Sequence, residues 1–90
     1  MMYEYMRLGD GTIITHSELK GKGEKRYVEV IFEREREEGG IYSACCKVPP
    51  YKWVYNQYFT KKELAFFVEF LEHNAATIFE YAQCGGIQIA

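Results

Sequence analysis

TKKELAFFVEFLEHNAATIFEYAQCGG, residues 60–86, is the stretch whose reading decides the fold. Thr60 followed three residues later by Glu63 is a capping box, with Phe59 and Leu64 at the hydrophobic-staple positions around it. Gly85 and Gly86 supply a left-handed stop, so the segment reads as a helix over 60–84. At about 100° per residue, Leu64, Phe67, Val68, Leu71, Ala75, Ile78, Phe79 and Ala82 form one apolar stripe. Phe66, Phe70 and Tyr81 fall on a second strip beside it. Together they span an arc of roughly 220°, where one core-facing side needs only ~100° or more. One sheet cannot cover that arc, so the strip of Phe66, Phe70, Thr77 and Tyr81 is expected to meet a second copy of the chain.

Upstream, the periodicity changes from helical to alternating. Residues 2–8 and Thr12–His16 flank the turn signal Gly9-Asp10-Gly11, giving an N-terminal hairpin over 2–16. Residues 17–26 are polar and glycine-punctuated, hence a connection. In 27–35, Val28, Val30 and Phe32 point one way while Tyr27, Glu29, Ile31 and Glu33 point the other. Glu37-Glu38-Gly39-Gly40 turns the chain into Ile41–Val48, where Tyr42, Ala44, Cys46 and Val48 share a face. This second hairpin, 27–48, ends at Pro49-Pro50, since neither proline can donate to a ladder. An aromatic connection, 49–59, then leads to the helix, and Ile87–Ala90 is long enough for at most one more short strand. The expected fold is α+β: a single domain, 1–90, with an antiparallel sheet of four to five strands and one long C-terminal helix on one face.

Bulk properties narrow the function. Ninety residues with 48% apolar and 17% aromatic content suit one small globular core. A net charge of −2 lacks the basic footprint of a duplex-DNA binder. No apolar run approaches a membrane span and the first residues lack a signal-peptide pattern, so no membrane association and a cytoplasmic location are expected. The three cysteines include an adjacent pair, Cys45 and Cys46, whose side chains diverge in a strand. They offer neither a disulfide framework nor a metal-ligand spacing.

No catalytic set can be assembled. His16 beside Ser17 and Glu18 suggests a nucleophile and base, but neighbouring strand residues diverge and no nucleophile elbow is present. It reads as a surface histidine at a strand end. His73, with Glu69 and Glu80 nearby, reads as part of a solvated helix face. The run Glu33–Glu38 alternates in sign and reads as a solvated hairpin tip that discourages edge pairing. Lys20, Lys22, Lys25 and Arg26 form a basic cluster diluted by Glu18 and Glu24. No cofactor or metal is expected, and no catalytic residue is assigned.

The densest local signal is aromatic. Tyr51, Trp53, Tyr55 and Tyr58 lie within a few residues of one another, with Lys52 between two of them. Such a stretch could cover the core, anchor a partner protein or stack single-stranded bases.

The order of signals over residues 28–72 resembles the HicB-type antitoxin fold of bacterial toxin–antitoxin pairs. The shared pieces are the strand Val28–Glu33, the Gly39-Gly40 turn, the strand Ile41–Pro49, and a helix opened by Thr60-Lys61-Lys62-Glu63-Leu64. Pro49-Pro50-Tyr51-Lys52 stands where that family carries a Pro-x-x-Pro-Gly-Cys turn. The resemblance implies a small dimeric, bacterial, partner-binding protein and carries no catalytic residue across. The leading expectation is therefore a non-enzymatic homodimeric interaction or regulatory module. Its alternatives are an antitoxin-like binder of a partner protein and, with less support, a single-stranded nucleic-acid binder using the 51–59 aromatics.

Overall fold

The structure, a computed structural model, describes residues 2–84. The glycine stop at 85–86 and the short strand considered at 87–90 lie outside the described residues. Five strands, β1 (Met2–Arg7), β2 (Ile13–Ser17), β3 (Val28–Glu35), β4 (Ile41–Val48) and β5 (Lys52–Gln57), precede one helix, α1 (Lys61–Gln83). The strands form a single antiparallel sheet in chain order, β1-β2-β3-β4-β5, and α1 covers one face. The domain is α+β, as the change of period at Thr60 predicts.

Alternation decides which side chains meet the helix. Val28, Val30 and Phe32 of β3 pair with Val48, Cys46 and Ala44 of β4, and all six are buried. Phe32 lies flat on Phe67 of α1, with ring centroids 4.2 Å apart, and Phe59 meets Phe67 edge-on at 4.9 Å. Leu71, Ile78 and Ala82 continue the buried stripe of α1. Burying each large apolar side chain of this kind contributes about 1.5–3 kcal/mol. On the opposite face, Thr15, Ile31, Cys45 and Tyr55 stand in one row across four strands, with no helix over them among the described residues.

The helix begins as its sequence demands. Thr60 Oγ1 accepts from the Glu63 amide at 3.2 Å, and the Thr60 amide donates to Glu63 Oε1 at 3.0 Å. These two bonds satisfy donors that the first turn leaves without a partner. Phe59 and Leu64 both pack on the core beside the cap. In the connection before β3, Gly21 has φ +80° and the Lys25 carbonyl stands where a Cβ would project. That position admits only glycine without strain.

Two β-bulges interrupt the outer strands. One lies between Glu4 and Met6, so Tyr5 is the extra residue of β1. The other sets Cys45–Cys46 against Trp53–Tyr55, making Val54 the extra residue of β5. Bulges on both edges twist the sheet margins and hinder open-ended pairing.

Two readings of the sequence need correction. His16 is fully buried instead of exposed, because it shares parity with Ile14 and so points beneath the helix. Arg34 and Arg36 are half-buried instead of lying on a solvated tip, since they continue the helix-facing parity of Val30 and Phe32. Among the described residues, no helix is long and apolar enough to cross a membrane.

A candidate interaction surface on the α1–β1 flank

The second strip of the helix lies along the β1 edge of the sheet. Phe66 is 54% exposed, and Thr77 is exposed as well. Phe70 and Tyr81 are half-buried because Tyr5 of β1 reaches up between them. The Tyr5 ring centroid is 6.3 Å from Phe70 and 5.9 Å from Tyr81. Its hydroxyl donates to Asn74 Oδ1 at 2.7 Å, and Asn74 Nδ2 donates in turn to the Phe70 carbonyl at 2.8 Å. Burial, with the Tyr81 phenol adding to it, pushes the Tyr5 phenol above its ordinary pKa, while a hydrogen bond with Thr77 works the other way.

Part of the apolar excess of the helix is therefore met within the chain. The bulge at Tyr5 is the device that does this, because it aims an extra aromatic at the helix from the outermost strand. Met6, paired with the core residue Ile14, adds a 40% exposed side chain to the same margin. Phe66 remains unmatched. Beside it opens a hollow of about 290 Å³ lined by Asp10, Arg34, Lys62, Glu63, Phe66 and Phe67. The outer backbone edge of β1 completes the flank, since among the described residues β1 pairs only with β2.

Tyr51, Trp53, Tyr55 and Tyr58 do not share one surface. Trp53 pairs with Cys46 and contacts Phe32 at 6.0 Å, and Tyr51 packs on the same core. Tyr55 lies on the uncovered sheet face, where its hydroxyl meets Ser43 Oγ at 3.2 Å. Tyr58, held at φ 77°, projects at the far end of the sheet, with the Arg36 guanidinium 3.8 Å above its ring. A stacking platform needs successive rings along one groove, and these side chains divide among three surfaces.

Arg34 is a residue whose role the charge run hides. Its guanidinium donates to Asp10 Oδ2 at 2.9 Å, to Thr12 Oγ1 at 3.3 Å and to Glu63 Oε2 at 2.6 Å. It also lies 4.6 Å from the centre of the Tyr42 ring. One side chain thus ties the β1–β2 turn, the sheet and the first turn of α1 together. Burial acts to raise the Glu63 pKa, but the bonds from Arg34 and Thr60 outweigh it and hold the carboxyl below its ordinary value. Asp10 is also lowered, first by its bonding to Thr12 and then by Arg34.

The remaining reactive side chains are scattered. His16 Nδ1 lies 2.8 Å from the Ser17 carbonyl, while its buried Nε2 has no hydrogen-bond partner. His73 is exposed, with Nδ1 2.9 Å from the Glu69 carbonyl. Burial pushes the Cys45 and Cys46 thiols up to about 11 and about 12, whereas Cys84 is an exposed free thiol. Among the described residues, no three His, Cys, Asp or Glu side chains cluster closely enough to hold a metal ion. A cleft of about 560 Å³ between the two hairpin turns is walled by Arg7, Asp10, Glu33, Arg34 and Glu35, and offers charges of both signs but no nucleophile or histidine.

Comparison with protein-family models, curated proteins and solved structures finds no match for this chain.

Proposed function

We propose that this chain is a small non-enzymatic interaction module that works as a homodimer, its copies meeting through the α1–β1 flank. One observation carries the reading: Tyr5 joins the exposed side of the helix to the open edge of the sheet, so both form a single two-layer surface. The flank follows the 23-residue helix for about 35 Å. It carries the exposed apolar side chains Phe66 and Met6, residue types enriched at interface centres.

The alternative, an antitoxin-like binder holding another protein through Tyr51, Trp53, Tyr55 and Tyr58, has less support because those residues lie on separate surfaces. Base stacking on single-stranded nucleic acid is weakened by the same dispersion.

The test is solution mass across concentration, from about 1 to 100 μM, for the wild type and for Phe66→Glu combined with Thr77→Arg. Both positions are exposed, so the double variant should keep its fold and thermal midpoint. A dimeric wild type and a monomeric variant support the proposal. A wild type that stays monomeric at the highest concentration overturns it.

A further inference from the structure

The end of the sheet opposite the hairpin turns gathers cations for which the fold supplies few counter-ions. Six of the 11 lysines and arginines stand there: Lys20, Lys22, Lys25 and Arg26 in the β2–β3 connection, and Lys47 and Lys52 on either side of the β4–β5 turn. The connection is pinned in place, since Lys20 and Tyr27 exchange backbone hydrogen bonds of 2.8 and 2.9 Å and Gly21 lets the Lys25 carbonyl approach closely. Lys20 takes the carboxylate of Glu29 at 2.6 Å. Glu29 is the cross-strand neighbour of Lys47, which is left facing Lys52, a like charge, on its other side. Like charges directly opposite in a ladder are destabilising. Lys47 Nζ lies 4.2 Å from the centre of the Tyr27 ring, a contact that orients the ammonium without neutralising it.

Between the connection and the β4–β5 turn lies a hollow of about 310 Å³, lined by Lys25 and Arg26 from one side and by Lys47, Pro49 and Pro50 from the other. Among the described residues, none of these three cations forms an ion pair. Arg26 Nε donates to the Gly23 carbonyl at 3.0 Å, which leaves both terminal nitrogens to donate elsewhere. Glu24 also lines the hollow, so three cations stand against one carboxylate and an excess of two positive charges remains. We propose that this hollow binds the phosphate monoester of a small molecule. Such a group carries about −1.5 to −2 charges at pH 7 and three acceptor oxygens, which matches both the excess charge and the three cationic side chains. A carboxylate, with one charge, would answer only half of that excess. Pro49 and Pro50 offer no N–H, so their wall takes the apolar part of the ligand. The volume lies at the low end of the ~300–1,000 Å³ of ligand pockets, which suits a small molecule. Asp10, Glu33, Glu35, Glu37 and Glu38 lie at the far end of the strands, and this polarity steers an anion toward the cationic end. The site stands apart from the α1–β1 flank and does not depend on the homodimer reading.

Titration of the full chain with phenyl phosphate at low ionic strength, followed by backbone amide NMR, tests this. Shifts should be confined to residues 21–27 and 47–52. Lys25→Gln and Lys47→Gln should each weaken binding roughly five- to tenfold, while Lys61→Gln, on the first turn of α1, should leave it unchanged. Lys25 is exposed, so its variant should fold, and it remains decisive should Lys47→Gln prove unstable. Benzoate, with a single charge on the same ring, should bind more weakly than phenyl phosphate. Failure to saturate by about 10 mM, shifts spread beyond this end of the sheet, unchanged affinity in the Lys25 variant, or benzoate binding as tightly overturns the proposal. Inorganic phosphate binding as tightly as phenyl phosphate overturns the role of the proline wall. A 5′-phosphorylated oligonucleotide binding far more tightly than phenyl phosphate overturns the small-molecule reading in favour of a nucleic-acid surface.

Discussion

Arg34→Met should destabilise the fold by about 1.5–3 kcal/mol without changing its architecture. Methionine keeps the unbranched apolar stem that packs beside Tyr42 and Phe59 and removes only the guanidinium. The bond to Glu63, 2.6 Å long and with both side chains mostly covered, is charge-assisted and worth about 1–1.5 kcal/mol at this exposure. Asp10 is over half exposed, so that ion pair adds no more than about 0.5 kcal/mol. Stacking of the cation on Tyr42 at 4.6 Å and Phe59 at 5.3 Å adds about 0.5–1 kcal/mol. For a domain of this size, such a loss lowers the melting temperature by roughly 10–20 °C. Urea unfolding followed by helical circular dichroism gives the free energy, and a double-mutant cycle with Glu63→Gln isolates the main pair at about 1 kcal/mol. Arg34→Lys should recover less than half the loss, because an ammonium cannot fork between Asp10 and Glu63. A change below about 0.5 kcal/mol for Arg34→Met, or a lysine variant as stable as the wild type, would refute the view that this side chain locks three elements together.

Two further outcomes follow from the shifted groups. Asp10 and Glu63 ionise below the ordinary carboxylate range when folded, so the unfolded chain binds protons first as pH falls. Their contribution is complete above about pH 5 and is lost as pH declines through about 4 and then through the lower folded values; urea midpoints from pH 7 to 3 should fall, and less steeply for Arg34→Met, whereas equal slopes would show that Arg34 does not link these carboxylates. Cys45 and Cys46, with thiols pushed up to about 11 and about 12, should resist labelling at pH 8, where only Cys84 reacts rapidly; fast modification of more than one thiol in the folded protein would contradict the burial.

The sheet and helix were legible because each follows from a local rule. Val28, Val30 and Phe32 alternate without interruption, Pro49-Pro50 stops a ladder, and Thr60 with Glu63 caps a helix regardless of what surrounds them. What escaped reading depends on contacts between distant segments. His16 is buried by the parity of its neighbour Ile14 and by Tyr3 and Tyr5 above it, which no window of a few residues reports. Arg34 sits inside an alternating charge run, and its role emerges only once Asp10, 24 positions earlier, and Glu63, 29 positions later, are brought beside it. The helix strip was visible at once, but the supply of Tyr5 to it was not, because a bulge changes which way one residue points without marking the sequence. The aromatics at 51–59 form one local signal because they are close in the chain. A second bulge at Val54 and the left-handed turn at Tyr58 separate them.

The order of the elements also bears on how the chain leaves the ribosome. All five strands pair with neighbours in sequence, so each hairpin can close as soon as it is made, and such local pairing favours rapid folding. The cover comes last. Ile14, Val30, Phe32, Ala44 and Cys46 form an apolar face that has no lid until α1 has been synthesised. At ~5–20 residues per second the 23 residues of that helix take about 1–5 s to add. During that interval the nascent sheet presents an uncovered sticky face, and its bulged margins protect only its edges. Transiently exposed apolar surface of this kind is what makes a partly folded chain prone to aggregate.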